Sequence, residues 1–346
     1  MSDQLLQLGR RVSDELLAPA ASEVDALGRF PRGHIDRLAS TGLYGLAGPA
    51  KAGGLGADRE TGDRVLEDLA RGCLSTTFVW LQHHGVLRSV AAAVADGRDQ
   101  YASLLAGLCS GQRRAGIAVG GVRPGAAPLR VHATRSGWEL DGTVPWVTGW
   151  GLIDVLHVAA VDPAGDVVWL LIDVPRADSS PAGRGESIET QQVALMAVRA
   201  SQTVVLTFRG HAVPADAMTS RTTYAEWQAA DRVGLRGNGS LALGLTARCA
   251  ALHRDGVGGS LPERVGRARA DLDAANAARD PQLLAQSRAA ATLLAWNAAA
   301  SLMVDAGSRS TQAGSEADRA VREAAFLLVF GTRPTIREAL VASLAQ

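Results

Sequence analysis

Apolar residues recur at helical spacing through the first third of the chain. Residues 3 to 27 place Leu5, Leu6, Leu8, Val12, Leu16 and Leu17 on one face, and Pro19 interrupts this helix or ends its first part. Residues 34 to 42 read as a second helix closed by Gly42. A turn-rich stretch from Gly48 to Gly56 follows, and helices are predicted at about 60 to 72, 75 to 94 and 98 to 110. From 115 to 213 the period shortens to two. Alternating runs at 129 to 134, 155 to 160, 167 to 174 and 203 to 208, parted by Gly, Pro, Asp and Ser, predict a domain of several antiparallel strands. After Pro214 the helical pattern returns and holds to the end, broken at 255 to 262 and around 307 to 315. The order is helical, β, helical, and no internal repeat interrupts it.

Composition narrows the function classes. The 346 residues suffice for two or three packed units. Lys+Arg and Asp+Glu both total 35, so no global basic field invites nucleic acid. Cys73, Cys109 and Cys249 are odd in number and widely spaced, which argues for a reducing compartment and against a disulfide frame or a metal site. The amino-terminal segment is polar and amphipathic, unlike a signal peptide, and no apolar segment is expected to span a membrane; a cytoplasmic location is the expectation. Asn238-Gly239-Ser240 matches a glycosylation sequon by chance.

Residues 141 to 150, Asp-Gly-Thr-Val-Pro-Trp-Val-Thr-Gly-Trp, hold the strongest chemical signal. A turn at Asp141 and Gly142 leads into a short strand that brings Trp146 and Trp150 beside the hydroxyl of Thr148. Such a strand offers a flat ring system an apolar face and a hydrogen-bond partner.

Four ordered segments resemble the acyl-CoA dehydrogenase family. The first runs from Asp25-Ala26-Leu27-Gly28-Arg29-Phe30-Pro31 through Leu38 to Gly42, Gly53-Gly54-Leu55-Gly56, Leu66-Glu67-Asp68-Leu69-Ala70 and Ser75-Thr76-Thr77. The second is Trp146-Val147-Thr148, similar to the family's "WITN" strand. The third, Val198-Arg199-Ala200-Ser201 through Phe208 to Val213-Pro214-Ala215-Asp216, is similar to "RASxT…F…V.VPAD". The fourth is Phe330-Gly331-Thr332, where the family usually reads "YEGT". The resemblance implies an α+β, mainly α fold: an N-terminal helical domain over 1–112, a middle β-barrel-like domain over 113–222 and a C-terminal helical bundle over 223–346. It also implies FAD, an acyl-CoA or related small-molecule substrate, and a homo-oligomer (dimer or tetramer) or a mixed oligomer with a related subunit. By resemblance Trp146 packs against the isoalloxazine and Thr148 hydrogen-bonds near N5.

Several positions depart from the family pattern. The glutamate that removes the proton α to the thioester is replaced by Phe330, and the family's alternative position for it aligns near Gly234. Asp231 is the nearest carboxylate, about one helical turn away, with pairing to Arg232 or another neighbour as its structural reading. The "TEPGAGSD" loop becomes Val122-Arg123-Pro124-Gly125-Ala126-Ala127, so Val122 stands where a threonine would meet the flavin. His253-Arg254-Asp255-Gly256-Val257-Gly258-Gly259 replaces the family's Arg-x-x-Phe-Gly element, with Arg254 as a substitute arginine, and Gln312-Ala313-Gly314 is what remains near the adenine side. The last helices leave little room for a hairpin around 276 to 283. His83 and His84 follow Trp80 and Gln82 on a helix expected beside the substrate, where His84 is a candidate acid or base and helix packing is the plainer alternative. Three functions are compatible: an acyl-CoA dehydrogenase-like oxidoreductase, a partner subunit without catalysis, and a flavin-dependent monooxygenase.

Overall fold

The computed structural model describes residues 2–123, 125, 127–174, 187–254 and 259–345. Ser2–Val12 (α1) passes through a widened π-helical turn, Ser13–Leu17, into Ala18–Leu27 (α2). That turn lets the chain go through Pro19 without a break, because the ring falls in the first turn of α2 where no N–H is needed. His34–Ser40 (α3), Arg59–Gly72 (α4), Leu74–Ala95 (α5) and Ala102–Ser110 (α6) complete the first helical layer. Asp58 caps α4 by accepting the Thr61 N–H. Between α3 and α4 the chain folds back on itself: a Cβ on Gly54 would lie 2.2 Å from the Gly48 carbonyl oxygen, so this crossing admits only glycine.

Eight strands follow: Ala115–Ala118 (β1), Arg130–Ala133 (β2), Gly137–Val147 (β3), Val155–Val161 (β4), Val167–Asp173 (β5), Ile188–Gln192 (β6), Val204–Pro214 (β7) and Met218–Thr222 (β8). They form one sheet in the order β6-β7-β3-β2-β4-β5-β8, with β1 also on β4. The expected antiparallel pairing holds except at β4, where β1 and β2 both lie parallel. Alternation reports which face of a strand is buried and carries no information about a neighbour's direction. The buried face, including Val131, Leu140, Leu156, Val158, Leu206 and Phe208, makes the core of this domain.

Tyr224–Val233 (α7), Leu235–Leu252 (α8), Leu261–Ala277 (α9), Pro281–Ala306 (α10), Glu316–Val329 (α11) and Pro334–Leu344 (α12) form the last layer. The expectation of little room for a hairpin near 276 to 283 is corrected: α9 and α10 make one over a three-residue turn, 278–280. Asp280 closes it by accepting the Gln282 and Leu283 N–H groups ahead of Pro281. An 18-residue window within Pro281–Thr311 reaches a mean hydropathy of 1.2, long and apolar enough for a span by composition, yet this helix lies in the bundle against α8, α9, α11 and α12 and carries the buried Arg288.

Ionic ties hold the layers together. The buried Arg236 of α8 donates to Asp273 at 2.6 Å and Ser240 at 2.8 Å, and its neighbour Glu67 accepts from Arg269 at 2.7 Å. Arg248 of α8 pairs with the buried Glu323 of α11. The three cysteines are free and buried, and burial pushes the Cys249 thiol up to about 11.

Candidate functional site

The sequence segments that stand out converge on one corner. Arg199 donates to the Asp25 and Ala26 carbonyl oxygens at 2.6 and 3.2 Å, and Gln202 donates to the Gly28 carbonyl at 3.2 Å. Asp25 in turn accepts two bonds from Arg322 of α11 at 2.9 and 2.6 Å. The first and third segments therefore join all three layers. Val198 and Gln202 flank this joint in left-handed conformations, both at φ 49°. From there, Ser201 and Thr203 share a bond of 2.8 Å, Thr203 and Thr148 one of 3.3 Å, and the Gly149 N–H donates to the Ser201 carbonyl at 2.8 Å.

The 141–150 segment differs from its predicted form. Asp141 and Gly142 do not turn; they sit inside the eleven-residue β3, where pairing with β7 slips between Leu140 and Gly142 and again between Val144 and Val147. The second slip is a bulge that holds Trp146 at φ 63° with 63% of its surface exposed. A non-glycine residue in that region is unusual and lifts the indole off the ladder. Trp146 and Thr148 both face a cavity of about 930 Å³. Trp150 does not: it packs against the β core. An extended strand points alternate residues the same way, but the bulge breaks that alternation.

α5 forms a second wall with Trp80, His84 and Arg88. His84 is 3% exposed, its ring centre lies 4.0 Å from that of Trp80, and neither ring nitrogen has a hydrogen-bond partner among the described residues. The Trp80 indole nitrogen is also buried without a partner among the described residues. Burial holds the His84 imidazole well below its usual value, so it is neutral. His83, next along the helix, points elsewhere: its Nδ1 accepts the Ala115 N–H at 3.1 Å, and the ring meets Tyr44 edge-on.

The third wall brings both expected carboxylate positions to the cavity without a carboxylate at either. Phe330 packs at 4.9 Å from Phe78 and 5.4 Å from Phe326, and Gly234 lies at the junction of α7 and α8. Asp231 reaches the cavity but not as a lone base. Arg123 donates to its two oxygens at 3.1 and 3.0 Å and Arg333 adds a bond of 2.7 Å, whereas Arg232 plays no part. Neither the pairing nor Asp63 was legible from spacing. Asp63 of α4 lines the cavity, and burial raises its carboxyl to about 6 against the pull of Arg236, Arg59 and Arg88.

The remaining expected cofactor residues lie apart. Val122 is buried under Trp227 with Ala159 and Val167. Arg254 is exposed and bound to Asp305 at 2.7 Å, and Gln312 is exposed at the end of a short 3-10 turn. None of the three lines the cavity. Pro124, Ala126 and residues 255–258 lie outside the described residues.

The buried imidazoles make the fold acid-sensitive. His157, bonded to Thr219 at 2.7 Å, and His83 are both lowered to about 3 by burial. The unfolded chain takes up their protons below about 6.5 while the folded chain does not, so stability is full above that pH and falls as pH drops. Between pH 7 and 5.5 each costs a little over 1 kcal/mol, and His84 adds in the same direction. Asp63 opposes them: its raised carboxyl takes up a proton on folding and returns slightly under 1 kcal/mol over that range. The expected result is a net loss of about 2–3 kcal/mol in urea unfolding at pH 5.5 relative to pH 7. His157→Gln should shrink that loss, and an unchanged pH slope would contradict the assignment.

Comparison with known proteins completes the picture. Residues 2–112 match the model described as acyl-CoA dehydrogenase, N-terminal domain. The chain is 25% identical over 229 residues to the mitochondrial short-chain specific acyl-CoA dehydrogenase of Bos taurus, covering 62% of this chain and 52% of the relative. It is 29% identical over 163 residues to the 3-sulfinopropanoyl-CoA desulfinase of Paraburkholderia xenovorans (strain LB400), covering 44% of this chain and 40% of the relative. The matches thus span about half the length of these relatives or less. Among solved structures, butyryl-CoA dehydrogenase from Megasphaera elsdenii has the same fold, with a TM-score of 0.77 at 18% identity over 100% of this chain and 98% of that one.

Proposed function

We propose that the chain is a member of the acyl-CoA dehydrogenase family and a FAD-dependent oxidoreductase acting on the CH–CH bond of an acyl thioester, with the family's glutamate position taken by Phe330. The observation that carries this reading is the single cavity shared by Trp146, Thr148, the α5 face and the Phe330 turn. Its residues fit the ring end of a flavin. Trp146 offers an aromatic face on the bulge, and the buried Thr148 hydroxyl, with only a long bond to Thr203, offers a hydrogen-bonding partner. About 930 Å³ is within the range of small-molecule sites. Bound there, FAD supplies the acceptor for a hydride.

The chain's own residues exclude water and orient the substrate. Phe78, Phe326 and Phe330 keep one wall dry. Asp231 serves as the anchor that positions Arg123 and Arg333 at the rim, since its oxygens are occupied by both guanidiniums. His84 is a weak candidate for proton transfer because its imidazole is neutral and unpartnered. Arg254 and Gln312 belong to this reading as FAD contacts offered to a second chain of an oligomer, since they are exposed outside the cavity. A reducing, cytoplasmic setting is supported by the three free thiols.

The missing carboxylate favours a second reading: a partner subunit that holds flavin or substrate without turning it over, inside a mixed oligomer. Adding butyryl-CoA to the flavin-loaded protein without oxygen separates the two. Loss of the oxidised flavin spectrum supports turnover by this chain alone. A shifted but unbleached spectrum supports the partner-subunit reading.

A further inference from the structure

Trp80, His84 and Arg88 stand four residues apart on α5, so they form one stripe along a single helix face. All three line the cavity. Trp80 and His84 are almost wholly buried, yet the indole nitrogen and both imidazole nitrogens have no hydrogen-bond partner among the described residues. Buried polar atoms are seldom left so, because each forfeits a bond that water would give. Arg88 is exposed at the cavity wall and makes no hydrogen bond or ion pair with another described residue. Its charged surroundings are Arg59 and Asp63, two guanidiniums to one carboxylate.

We propose that this stripe is the recognition arm for an acyl group bearing a carboxylate at the end remote from the thioester, with Arg88 binding the carboxylate and His84 and Trp80 donating or accepting hydrogen bonds along the way. The proposal rests on the reading of the cavity as an acyl-thioester site and names the class of acyl group. A plain hydrocarbon tail would leave the buried indole and imidazole unsatisfied; a polar, anionic tail satisfies both and ends at Arg88. Successive members of the stripe are about 6 Å apart along the helix, so a chain lying beside α5 meets His84 before Arg88. His84 suits a position on that path because a neutral imidazole can both donate and accept. Arginine at the end suits a carboxylate through two parallel bonds.

The test compares acyl-CoA esters matched in length, with and without a terminal carboxylate: succinyl with butyryl, glutaryl with pentanoyl, adipoyl with hexanoyl. Dissociation constants are measured by calorimetry on the full-length, flavin-loaded protein and on Arg88→Gln and Arg88→Lys. The carboxylated member of at least one pair should bind about tenfold more tightly or better. Arg88→Gln should erase that preference while moving the alkyl member less than about threefold, and Arg88→Lys should keep part of it. Alkyl esters binding as tightly as their carboxylated partners would overturn the proposal and leave the acyl-thioester reading standing. So would a preference that survives in Arg88→Gln. Failure of every ester to bind would overturn both.

Discussion

Phe330→Glu is expected to speed the bleaching of bound flavin by an acyl thioester by about 10²- to 10⁴-fold, the usual worth of a positioned general base. Phe330 caps α11 and turns its ring into the cavity between Phe78 and Phe326. A glutamate there would sit at the same wall with two aromatic neighbours and little water. Burial would push its carboxyl above the usual range, so the gain should climb as pH rises through neutrality. Some stability is lost, on the order of 1–3 kcal/mol, for the buried polar group. Anaerobic stopped-flow absorbance on wild type, Phe330→Glu and Phe330→Gln checks this. If the glutamate variant holds flavin yet bleaches no faster than the glutamine variant, the wall does not face the reacting carbon.

Glu323→Gln is expected to destabilise the fold by about 3–5 kcal/mol. Glu323 and Arg248 are both buried and tie α11 to α8 through one bond. The Arg248 Nε and Nη1 atoms have no other partner among the described residues. Removing the carboxylate's charge leaves a guanidinium uncompensated in the bundle, which costs more than the pair contributes relative to an apolar substitute. The double variant Glu323→Leu with Arg248→Met should therefore recover most of the loss. Urea midpoints of the three variants decide it. A Glu323→Gln variant within about 1 kcal/mol of wild type would mean that water reaches Arg248.

Much of the architecture was legible because it rests on local signals. Period and breaker residues placed many helices and strands to within a few positions, with Gly42 just past α3 and Pro214 at the end of β7. The parallel pairing at β4 was not legible, since a strand's sequence shows its buried face and not its neighbour's direction. The site divides the same way. Trp146 and Thr148 face the cavity, but the bulge that turns Trp146 outward and sends Trp150 into the core depends on pairing with β7. Phe330 and Gly234 reach the wall at which a carboxylate was sought. The grip of Arg123 and Arg333 on Asp231 joins residues far apart in sequence, as does the burial of Asp63, so neither leaves a mark in spacing. Val122 was placed by a loop resemblance, and the structure turns it into the core under Trp227.

The central claim is that the cavity between β3, α5 and the Phe330 turn holds a flavin. The most direct measurement is the absorption spectrum of the full-length protein after incubation with excess FAD and gel filtration, alongside Trp146→Gly. The account predicts a yellow protein with stoichiometric FAD and a marked loss of bound flavin in Trp146→Gly. A folded, colourless wild-type protein, or equal retention by the variant, would contradict it.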